Sequence, residues 1–281
     1  AIELNPLDEM AHLTLGSILI DLGNSKEAEI SLRKTIELKP NSADAHRGLS
    51  IYYYLKKNID FAFKSISKAY SFDPEHINNK ILFNILKGEI NHLKTKDKIH
   101  FAEEKSLESD PLILHRPVEK QLIETLYKIK AQDQAKLQGP TYGVAIGSNY
   151  ELFDRKELMI KTIKEELINI SVDSIKSDIF IVSSFFTIFR SGGGLVSHNH
   201  LNRLDLVKGL NLARRKYSLV YYLSVGDQNC DEPGILKLED PNQEILPNNG
   251  LIIIFPAGRK HSVFYKGKKD RIIIGVNFYT I

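Results

Sequence analysis

Ser197-His198-Asn199-His200, together with His261 farther along the chain, lies within a tail of short apolar segments. These segments are rich in Ile, Val, Tyr and Phe and are separated by Gly, Asn and Pro; they cover 178–190, 218–225, 234–238, 251–255 and 271–278. Short β-branched and aromatic runs bounded by turn residues are typical of antiparallel strands. The tail therefore predicts a small β-barrel or jelly roll that carries three histidines.

The spacing of these histidines indicates a metal site. Two imidazoles one residue apart at a strand end, with a third on a distant strand, can occupy one face of an ion and leave other positions open. Non-haem Fe(II) oxygenases use such a site, usually with a carboxylate as the third ligand. Here His200 stands in the carboxylate position of the pair His198 and His200. We predict ligands His198, His200 and His261, with His200 bound directly or through a water. Asp205 is the alternative carboxylate ligand.

Arg271 follows His261 by ten residues (271 − 261). A guanidinium pairs bidentately with carboxylates, so Arg271 is a candidate anchor for a dicarboxylic acid whose other end chelates the metal. An antiparallel turn through 265–270 would place Arg271 one strand away from His261. Strand alternation puts Gly275 on the face of Arg271, where its small size would leave room for a cosubstrate. Tyr222 is a second candidate donor to that carboxylate, or a core tyrosine.

Two motifs resemble the C-terminal signature of 2-oxoglutarate/Fe(II)-dependent oxygenases. They are Phe255-Pro256-Ala257-Gly258-Arg259-Lys260-His261 and Arg271-Ile272-Ile273-Ile274-Gly275-Val276-Asn277. The pair His198-x-His200 with Ser218-Leu219-Val220-Tyr221-Tyr222 is similar to a short branch of that superfamily, which carries His-x-His and Ser-Gly-x-Tyr-Tyr. The resemblance covers roughly residues 140 to 281. It implies a double-stranded β-helix that uses Fe(II), O2 and 2-oxoglutarate to hydroxylate a substrate C–H, with decarboxylation of 2-oxoglutarate to succinate.

The chain departs from that branch in two respects. Residues 201–217 form an insertion between the histidine pair and Ser218, which leaves the substrate loop undetermined. Leu219, Ile273 and Gly275 replace the usual Gly, Ser and Ser, and Ile273 removes a hydroxyl that relatives use near the 2-oxoglutarate carboxylate. Two alternatives follow: a metal-binding barrel that no longer hydroxylates, and a cupin-like enzyme that uses the metal without 2-oxoglutarate.

The first part of the chain is repetitive. Pro6, Pro40 and Pro74 are 34 residues apart (40 − 6 and 74 − 40), which is the period of tetratricopeptide repeats. Small and apolar residues recur in the same register: Gly16 with Ser50, Leu15 with Leu49, Ala28 with Ala62, and Leu32 with Ile66. A helix over 76–93 is expected to cap the array. Glu3-Leu4-Asn5-Pro6 matches Glu37-Leu38-Lys39-Pro40, as though the sequence opened inside a repeat.

The predicted organisation is an α + β chain of two domains. An all-α tetratricopeptide-repeat solenoid covers 1–93, a helical connector covers 94–138, and a double-stranded β-helix (jelly roll) with supporting helices covers 139–281. Within the connector, 94–110 is expected to be a solvated helix or loop and 117–136 a long helix. A further helix is expected from Asp154 to about Ile170.

Composition argues against a nucleic-acid-binding protein and against a membrane protein. A net charge of +3 over 281 residues, with no basic run interleaved with aromatics, argues against nucleic-acid binding. The longest apolar run is too short to span a bilayer, so no membrane partner is expected. The single cysteine, Cys230, fits a reducing, cytoplasmic location. Because repeat arrays bind partners on a concave face, a protein or peptide partner is predicted.

Overall fold

The computed structural model describes residues 5–23, 25–95, 110–133 and 141–281. Its helices are α1 (Glu9–Asp21), α2 (Ser25–Leu38), α3 (Ala43–Leu55), α4 (Ile59–Phe72), α5 (Ile77–Thr95), α6 (Lys120–Lys128), α7 (Leu158–Ile175) and α8 (Leu212–Arg215). Its strands are β1 (Leu112–His115), β2 (Gln132–Asp133), β3 (Thr141–Tyr142), β4 (Ala145–Gly147), β5 (Ile179–Phe189), β6 (Gly193–His198), β7 (Lys216–Ser224), β8 (Pro233–Leu238), β9 (Gln243–Ile245), β10 (Leu251–Pro256), β11 (His261–Tyr265) and β12 (Arg271–Thr280).

Two compact units make up the chain. The repeat unit comprises Ala1–His100, Asn202–Leu212 and Ile281, and the β unit comprises Phe101–Leu201 and Ala213–Thr280. No helix within the described ranges is long and apolar enough to cross a bilayer. The predicted domain boundaries at 93/94 and 138/139 remain predictions.

Side-chain caps begin the helices of the repeat unit. The Asp8 carboxylate accepts hydrogen bonds from the backbone N–H groups of Met10 and Ala11, both at 3.0 Å. Ser42 and Asn58 cap α3 and α4 in the same way. Such caps satisfy N–H groups that have no partner within the helix, which fixes where each helix starts.

The predicted helix seams are confirmed at Ala28, Leu32, Ala62 and Ile66, which are fully buried between the helices. Leu15, which was predicted to fill the same seam as Leu49, is instead 37% exposed, so that part of the prediction was wrong. The capping helix predicted over 76–93 is α5. The match of Glu3-Leu4-Asn5-Pro6 to a repeat tail lies mostly outside the described residues.

Part of the insertion predicted between His200 and Ser218 belongs to the repeat unit. Its leucines Leu204, Leu210 and Leu212 are buried. Nη2 of Arg203 lies 2.6 Å from the Asp21 carboxylate at the end of α1. Residues 202–212 are therefore held by packing and an ion pair, as an ordered part of that unit.

The β unit contains two antiparallel sheets. The major sheet has the order β1-β10-β7-β12-β5-β4-β2, and the minor sheet has the order β3-β6-β11-β8-β9. From β5 to β12 the chain passes repeatedly between the sheets, so that β5, β7, β10 and β12 lie in the major sheet and β6, β8, β9 and β11 in the minor sheet. This is the strand order of a double-stranded β-helix, and the predicted jelly roll is confirmed.

The major sheet buries both of its faces. Alternate residues such as Phe186 and Ile188 pack with α6 and α7 in one apolar cluster. Phe189, Tyr222 and Ile273 belong to a second cluster, with residues of the minor sheet such as Leu236 and Tyr265. The period-2 alternation of the strands thus separates a helix-covered face from the interior of the β-helix.

Three local predictions were wrong. The helix predicted over 117–136 is the shorter α6, and 112–115 is a strand because it pairs with β10 at the edge of the major sheet. The helix predicted to begin at Asp154 begins at Leu158, after a 3₁₀ turn over Leu152–Asp154. Residues 96–109 and 134–140 of the predicted connector lie outside the described residues.

Candidate metal centre

The histidines converge because their strands are neighbours in the minor sheet. His198 ends β6, His261 begins β11, and the two residues are direct cross-strand partners. His200 lies just beyond β6, where its backbone N–H donates to the Ala257 carbonyl at 2.8 Å. The chain after β6 is thereby held against the chain before β11, which turns His200 towards the other two residues.

The three imidazoles form one cluster. Their ligand atoms all lie within 4.8 Å of one another, and no carboxylate of the described residues joins the group. The ring centroids of His198 and His261 are 4.2 Å apart, and His200 lies 4.9 Å and 5.0 Å from them. Nitrogens bound to one ion at roughly 2.0–2.1 Å lie no more than about 4 Å apart. Small side-chain rotations would therefore bring all three onto one metal.

Electrostatics keep the cluster neutral and ready to ligate. Burial lowers the pKa of His198, and burial together with the neighbouring histidines lowers the pKa of His200 well below its usual value. The pKa of His261 falls to about 3, chiefly through burial and then through His198. His198 Nδ1 donates to the Val196 carbonyl at 2.8 Å, so its Nε2 carries the free lone pair. Neutral imidazoles with one nitrogen oriented are the form in which histidine binds metals.

A cavity of about 150 Å³ adjoins the histidines. Its wall is mostly apolar and is formed by Tyr150, Phe185, Thr187, Leu195, His198, Asn199, His200, Ser218, Leu219, Val220, His261, Ile273, Gly275, Val276 and Asn277. The space expected above Gly275 is filled, since a Cβ at this position would lie 2.4 Å from Cζ of Phe185. The Phe185 ring is in turn met edge-on by Tyr150 at 5.4 Å. Both aromatic rings belong to the wall of the cavity.

Arg271 is buried within the β unit. It begins β12 in the major sheet, whereas β11 lies in the minor sheet, so the predicted placement on a strand adjacent to His261 was wrong. Residues 266–270 therefore connect the minor sheet to the major sheet. Arg271 is 1% exposed, and its Nε and Nη1 have no hydrogen-bond partner among the described residues. Its Cζ lies 5.1 Å from the Tyr222 ring and 5.9 Å from the Tyr265 ring.

The surroundings of Arg271 hold its guanidinium in place. Gly234 has a φ of +84° and lies against it, and a Cβ there would be 2.1 Å from Nη1. Burial lowers the pKa of Arg271, although Tyr222 and Tyr265 oppose this shift. A buried cation with open donors is costly unless an anion pairs with it, so Arg271 fits a carboxylate. Neither Arg271 nor Tyr222 lines the 150 Å³ cavity, whose wall includes Ile273 from the same strand.

Sequence reasoning missed a polar row at the wall of the cavity. Ser218 Oγ donates to Asn277 Oδ1 at 2.7 Å, and Asn277 Nδ2 donates to Ser183 Oγ at 2.9 Å. The alternation that put Arg271 and Gly275 on one face extends to Asn277, so the pattern contained this signal. The row gives the apolar cavity a polar edge.

Asp205 and Lys216 affect which groups near the histidines could bind a metal and how they are charged. Asp205 does not join the cluster: its carboxylate accepts from the backbone N–H of Asn202 at 2.8 Å and stabilises its own loop. Lys216 is buried, with Nζ 5.2 Å from the Tyr279 ring, and its positive charge contributes to the lowered pKa of His200. Within the part of the chain that the structure describes, the site therefore combines three imidazoles with the positive charge of Lys216 and has no carboxylate ligand.

No family model matches the chain, whereas comparison with known proteins and solved structures gives similarities to both units. The type IV pilus assembly protein PilF of Pseudomonas aeruginosa is 32% identical over 74 residues, which are 26% of this chain and 29% of that protein. The chain thus matches less than a third of that relative's length.

The other similarities are to solved structures. A Pseudomonas putida prolyl-4-hydroxylase is 14% identical over 61% of this chain and 92% of its own, with a TM-score of 0.44. A viral collagen prolyl hydroxylase of Paramecium bursaria Chlorella virus-1, solved with 2-oxoglutarate, is 12% identical over 62% and 97%, with a TM-score of 0.46. A 2OG-Fe(II) oxygenase-family oxidoreductase of Burkholderia pseudomallei is 13% identical over 65% and 92%, with a TM-score of 0.39.

Proposed function

We propose that the protein is an Fe(II)- and 2-oxoglutarate-dependent dioxygenase that hydroxylates a substrate C–H. The observation that carries the proposal is the pairing of two features inside one double-stranded β-helix. One is the cluster of three neutral histidines, and the other is the buried Arg271 with open donors. The first fits a borderline metal ion, and the second fits a carboxylate.

Each residue has a role in this proposal. His198, His200 and His261 would hold Fe(II), and Arg271 with Tyr222 would bind the distal carboxylate of 2-oxoglutarate. Fe(II) and 2-oxoglutarate, once bound together with O2, would supply the oxidising power for hydroxylation, and 2-oxoglutarate would be converted to succinate and CO2. The Val196 carbonyl orients the His198 imidazole, the Ala257 carbonyl holds the backbone N–H of His200, and apolar side chains surround the reacting space and exclude water.

Succinate formation tests the proposal. The metal-free protein would be loaded anaerobically with Fe(II) and 2-oxoglutarate and then exposed to O2. We expect succinate only when Fe(II), 2-oxoglutarate and O2 are all present. If calorimetry shows that metal and cosubstrate are bound and no succinate forms with any substrate pool, the protein is not a 2-oxoglutarate oxygenase.

A metal-binding barrel that does not use 2-oxoglutarate is the second candidate. Two observations favour it: Phe185 covers Gly275, and Arg271 does not line the cavity beside the histidines. The two candidates differ in one measurable quantity, the affinity for 2-oxoglutarate. In a dioxygenase, the affinity for 2-oxoglutarate depends on both the metal and Arg271. In the second candidate, neither the metal nor Arg271 contributes to 2-oxoglutarate binding.

The proposed substrate is a protein or peptide side chain recruited by the repeats. A depression of about 570 Å³ lies along α4 and α5 within the repeat unit. Phe63 and Ile90 contribute apolar surface, and the two exposed lysines Lys64 and Lys68 outweigh the single carboxylate of Asp60, so the lining carries a net positive charge. This composition suits a peptide with apolar and acidic side chains, and tethering would raise the effective concentration of such a substrate.

Charge reversal tests this recruitment. Incubation of the enzyme with a lysate and mass spectrometry of hydroxylated peptides would identify a substrate. For that substrate we expect Lys64→Glu with Lys68→Glu to raise KM about tenfold or more, with substrate-free turnover of 2-oxoglutarate unchanged. Lys26→Glu with Lys39→Glu, at two exposed lysines outside the depression, is the matched control. An unchanged KM in the α4 variant would exclude this depression as the recruiting surface.

A further inference from the structure

Thr187 places a hydroxyl group in the wall of the cavity beside the histidines. The residue belongs to β5 and is 2% exposed. Its chain neighbours Phe186 and Ile188 pack in the cluster with α6 and α7. Because successive side chains of a strand point to opposite faces, Thr187 faces the interior of the β-helix.

The Thr187 hydroxyl forms no hydrogen bond within the ranges that the structure describes. Two other polar residues of the cavity wall behave differently, since Ser218 donates to the Asn277 side chain at 2.7 Å. Buried hydroxyl groups almost always have a partner, so each exception requires an explanation. Thr187 is thus an open donor in a wall where Ser218 and Asn277 are already hydrogen-bonded.

An open hydroxyl at this position is unfavourable for the protein alone. Phe185 and Phe189, the neighbours of Thr187 on the same face of β5, are apolar. Valine has nearly the shape of threonine and would bury a methyl group there in place of the hydroxyl. Burial of a hydroxyl without a hydrogen bond costs free energy that valine avoids. A residue that breaks a packing rule in this way is expected where a ligand supplies the missing partner.

The strand register brings Thr187 next to Arg271. Thr187 is directly opposite Ile273 of β12, and Phe189 is directly opposite Arg271. Thr187 and Arg271 are therefore diagonal neighbours on one face, roughly 7–8 Å apart, a separation that a long side chain can span. Ile273 has no hydrogen-bonding side chain, so the hydroxyl at this level of the β-helix comes from β5. Two open donors, the Thr187 hydroxyl and the Arg271 guanidinium, thus lie on neighbouring strands.

We propose that Thr187 donates a hydrogen bond to the distal carboxylate of 2-oxoglutarate, the group that pairs with Arg271. This inference rests on the proposed dioxygenase function and adds a cosubstrate-binding residue to it. A carboxylate has two oxygens and about four acceptor sites, so it can accept from the guanidinium and the hydroxyl together. The neutral hydroxyl orients the carboxylate without adding a second buried charge. Thr187 lines the cavity and Arg271 does not, so the hydroxyl extends the cosubstrate site from Arg271 to the cavity.

Calorimetry with 2-oxoglutarate tests this role on the full chain, with Fe(II) bound and O2 excluded. Thr187→Val should weaken 2-oxoglutarate binding about tenfold or more, because a hydrogen bond to a charged group is lost. Thr187→Ser keeps the hydroxyl and should bind within about threefold of the parent chain. 2-Oxopentanoate is a 2-oxo acid of the same chain length without the distal carboxylate, so the parent chain and Thr187→Val should bind it equally. A packing defect would weaken the binding of both acids.

Stability of the metal-free chain gives a second readout. Thr187→Val should raise the denaturant concentration at the unfolding midpoint, because it removes an unbonded buried hydroxyl. Thr35→Val is the matched control, since Thr35 is fully buried in the repeat unit and its hydroxyl donates to the Ser31 carbonyl at 3.1 Å. The control variant should not raise the midpoint, and its affinity for 2-oxoglutarate should equal that of the parent chain.

Three results would overturn the role of Thr187. The first is an unchanged affinity for 2-oxoglutarate in Thr187→Val while Arg271→Met weakens it, which would leave the dioxygenase function standing. The second is an equal loss of affinity for both acids, and the third is a lower unfolding midpoint in Thr187→Val. If the parent chain binds no 2-oxoglutarate, the proposed function itself fails, and the role of Thr187 fails with it.

Discussion

Buried histidines occur in both units, and they differ in what their ring nitrogens meet. His46 of the repeat unit is 5% exposed, and its Nε2 donates to the Pro40 carbonyl at 3.0 Å. His261 of the β unit is 2% exposed; its Nδ1 lies 3.4 Å from the Arg259 carbonyl, and its neighbours are two more imidazoles. The first histidine completes a helix hairpin, whereas the second belongs to a group that fits a ligand.

The cationic side chains show the same contrast within the β unit. Arg116 is buried but pairs with Glu119 and Glu166 and donates to the Tyr221 hydroxyl at 2.8 Å. Arg271 is more deeply buried and leaves two of its nitrogens without a partner among the described residues. A buried polar group whose hydrogen bonds are all made within the protein supports the fold. A buried polar group without a partner indicates a place where a ligand can bind.

The largest expected effect is on metal affinity, which should fall when a histidine of the cluster is removed and stay unchanged when a histidine outside the cluster is removed. We expect His261→Ala to weaken binding of Fe(II), or of Co(II) as a stable probe, by about 100-fold or more, because one of three donors is lost. Anaerobic calorimetry would measure this. His115→Ala is the control, since His115 is exposed and distant from the cluster in sequence. Equal metal affinity in both variants would show that His261 is not a ligand.

Replacement of Arg271 by methionine should change binding and stability in opposite directions. Loss of a charge-assisted bidentate contact, worth about 1.5–3 kcal/mol, should weaken 2-oxoglutarate binding by about 10- to 100-fold. Removal of a buried cation should raise the free energy of unfolding of the ligand-free protein by about 1 kcal/mol or more. Arg116→Met should instead lower it, because Glu119 and Glu166 would lose their partner. Denaturant titrations with and without 2-oxoglutarate would show whether the two arginines differ in this way.

Acid should destabilise the metal-free β unit through the histidine cluster. The unfolded His261 side chain binds a proton near its ordinary pKa of 6.5, but the folded side chain does so only near a pKa of about 3. Between these values the unfolded state holds the additional proton, so stability falls as pH falls, by up to about 1.4 kcal/mol per pH unit. Unfolding in a chelator at several pH values would measure the slope. His261→Gln should make it shallower, and an equal slope would mean that His261 does not carry the effect.

The sequence predicted features that depend on period and spacing. The 34-residue register located the buried Leu32 and Ile66, and strand alternation placed Arg271 and Gly275 on one face of β12. Features that depend on distant packing were not predictable in this way. No local pattern indicates that β1 pairs with β10, or that the ring of Phe185 fills the space above Gly275. The crossing of 266–270 between sheets also depends on closure of the whole β-helix.

The smallest expected effect concerns the structural histidines. His46→Ala removes the hydrogen bond to Pro40 and the ring contact with Phe72, whose centroid is 5.6 Å away. We expect a loss of about 1–2 kcal/mol in the free energy of unfolding of the repeat unit, with unchanged metal affinity. His12 makes the same bond to Pro6 at 2.9 Å in a more exposed position, so His12→Ala should cost less. Thermal unfolding followed by helix circular dichroism would rank the two variants. A loss of metal affinity in His46→Ala would break the distinction between satisfied and open histidines, since His46 would then influence the cluster without belonging to it.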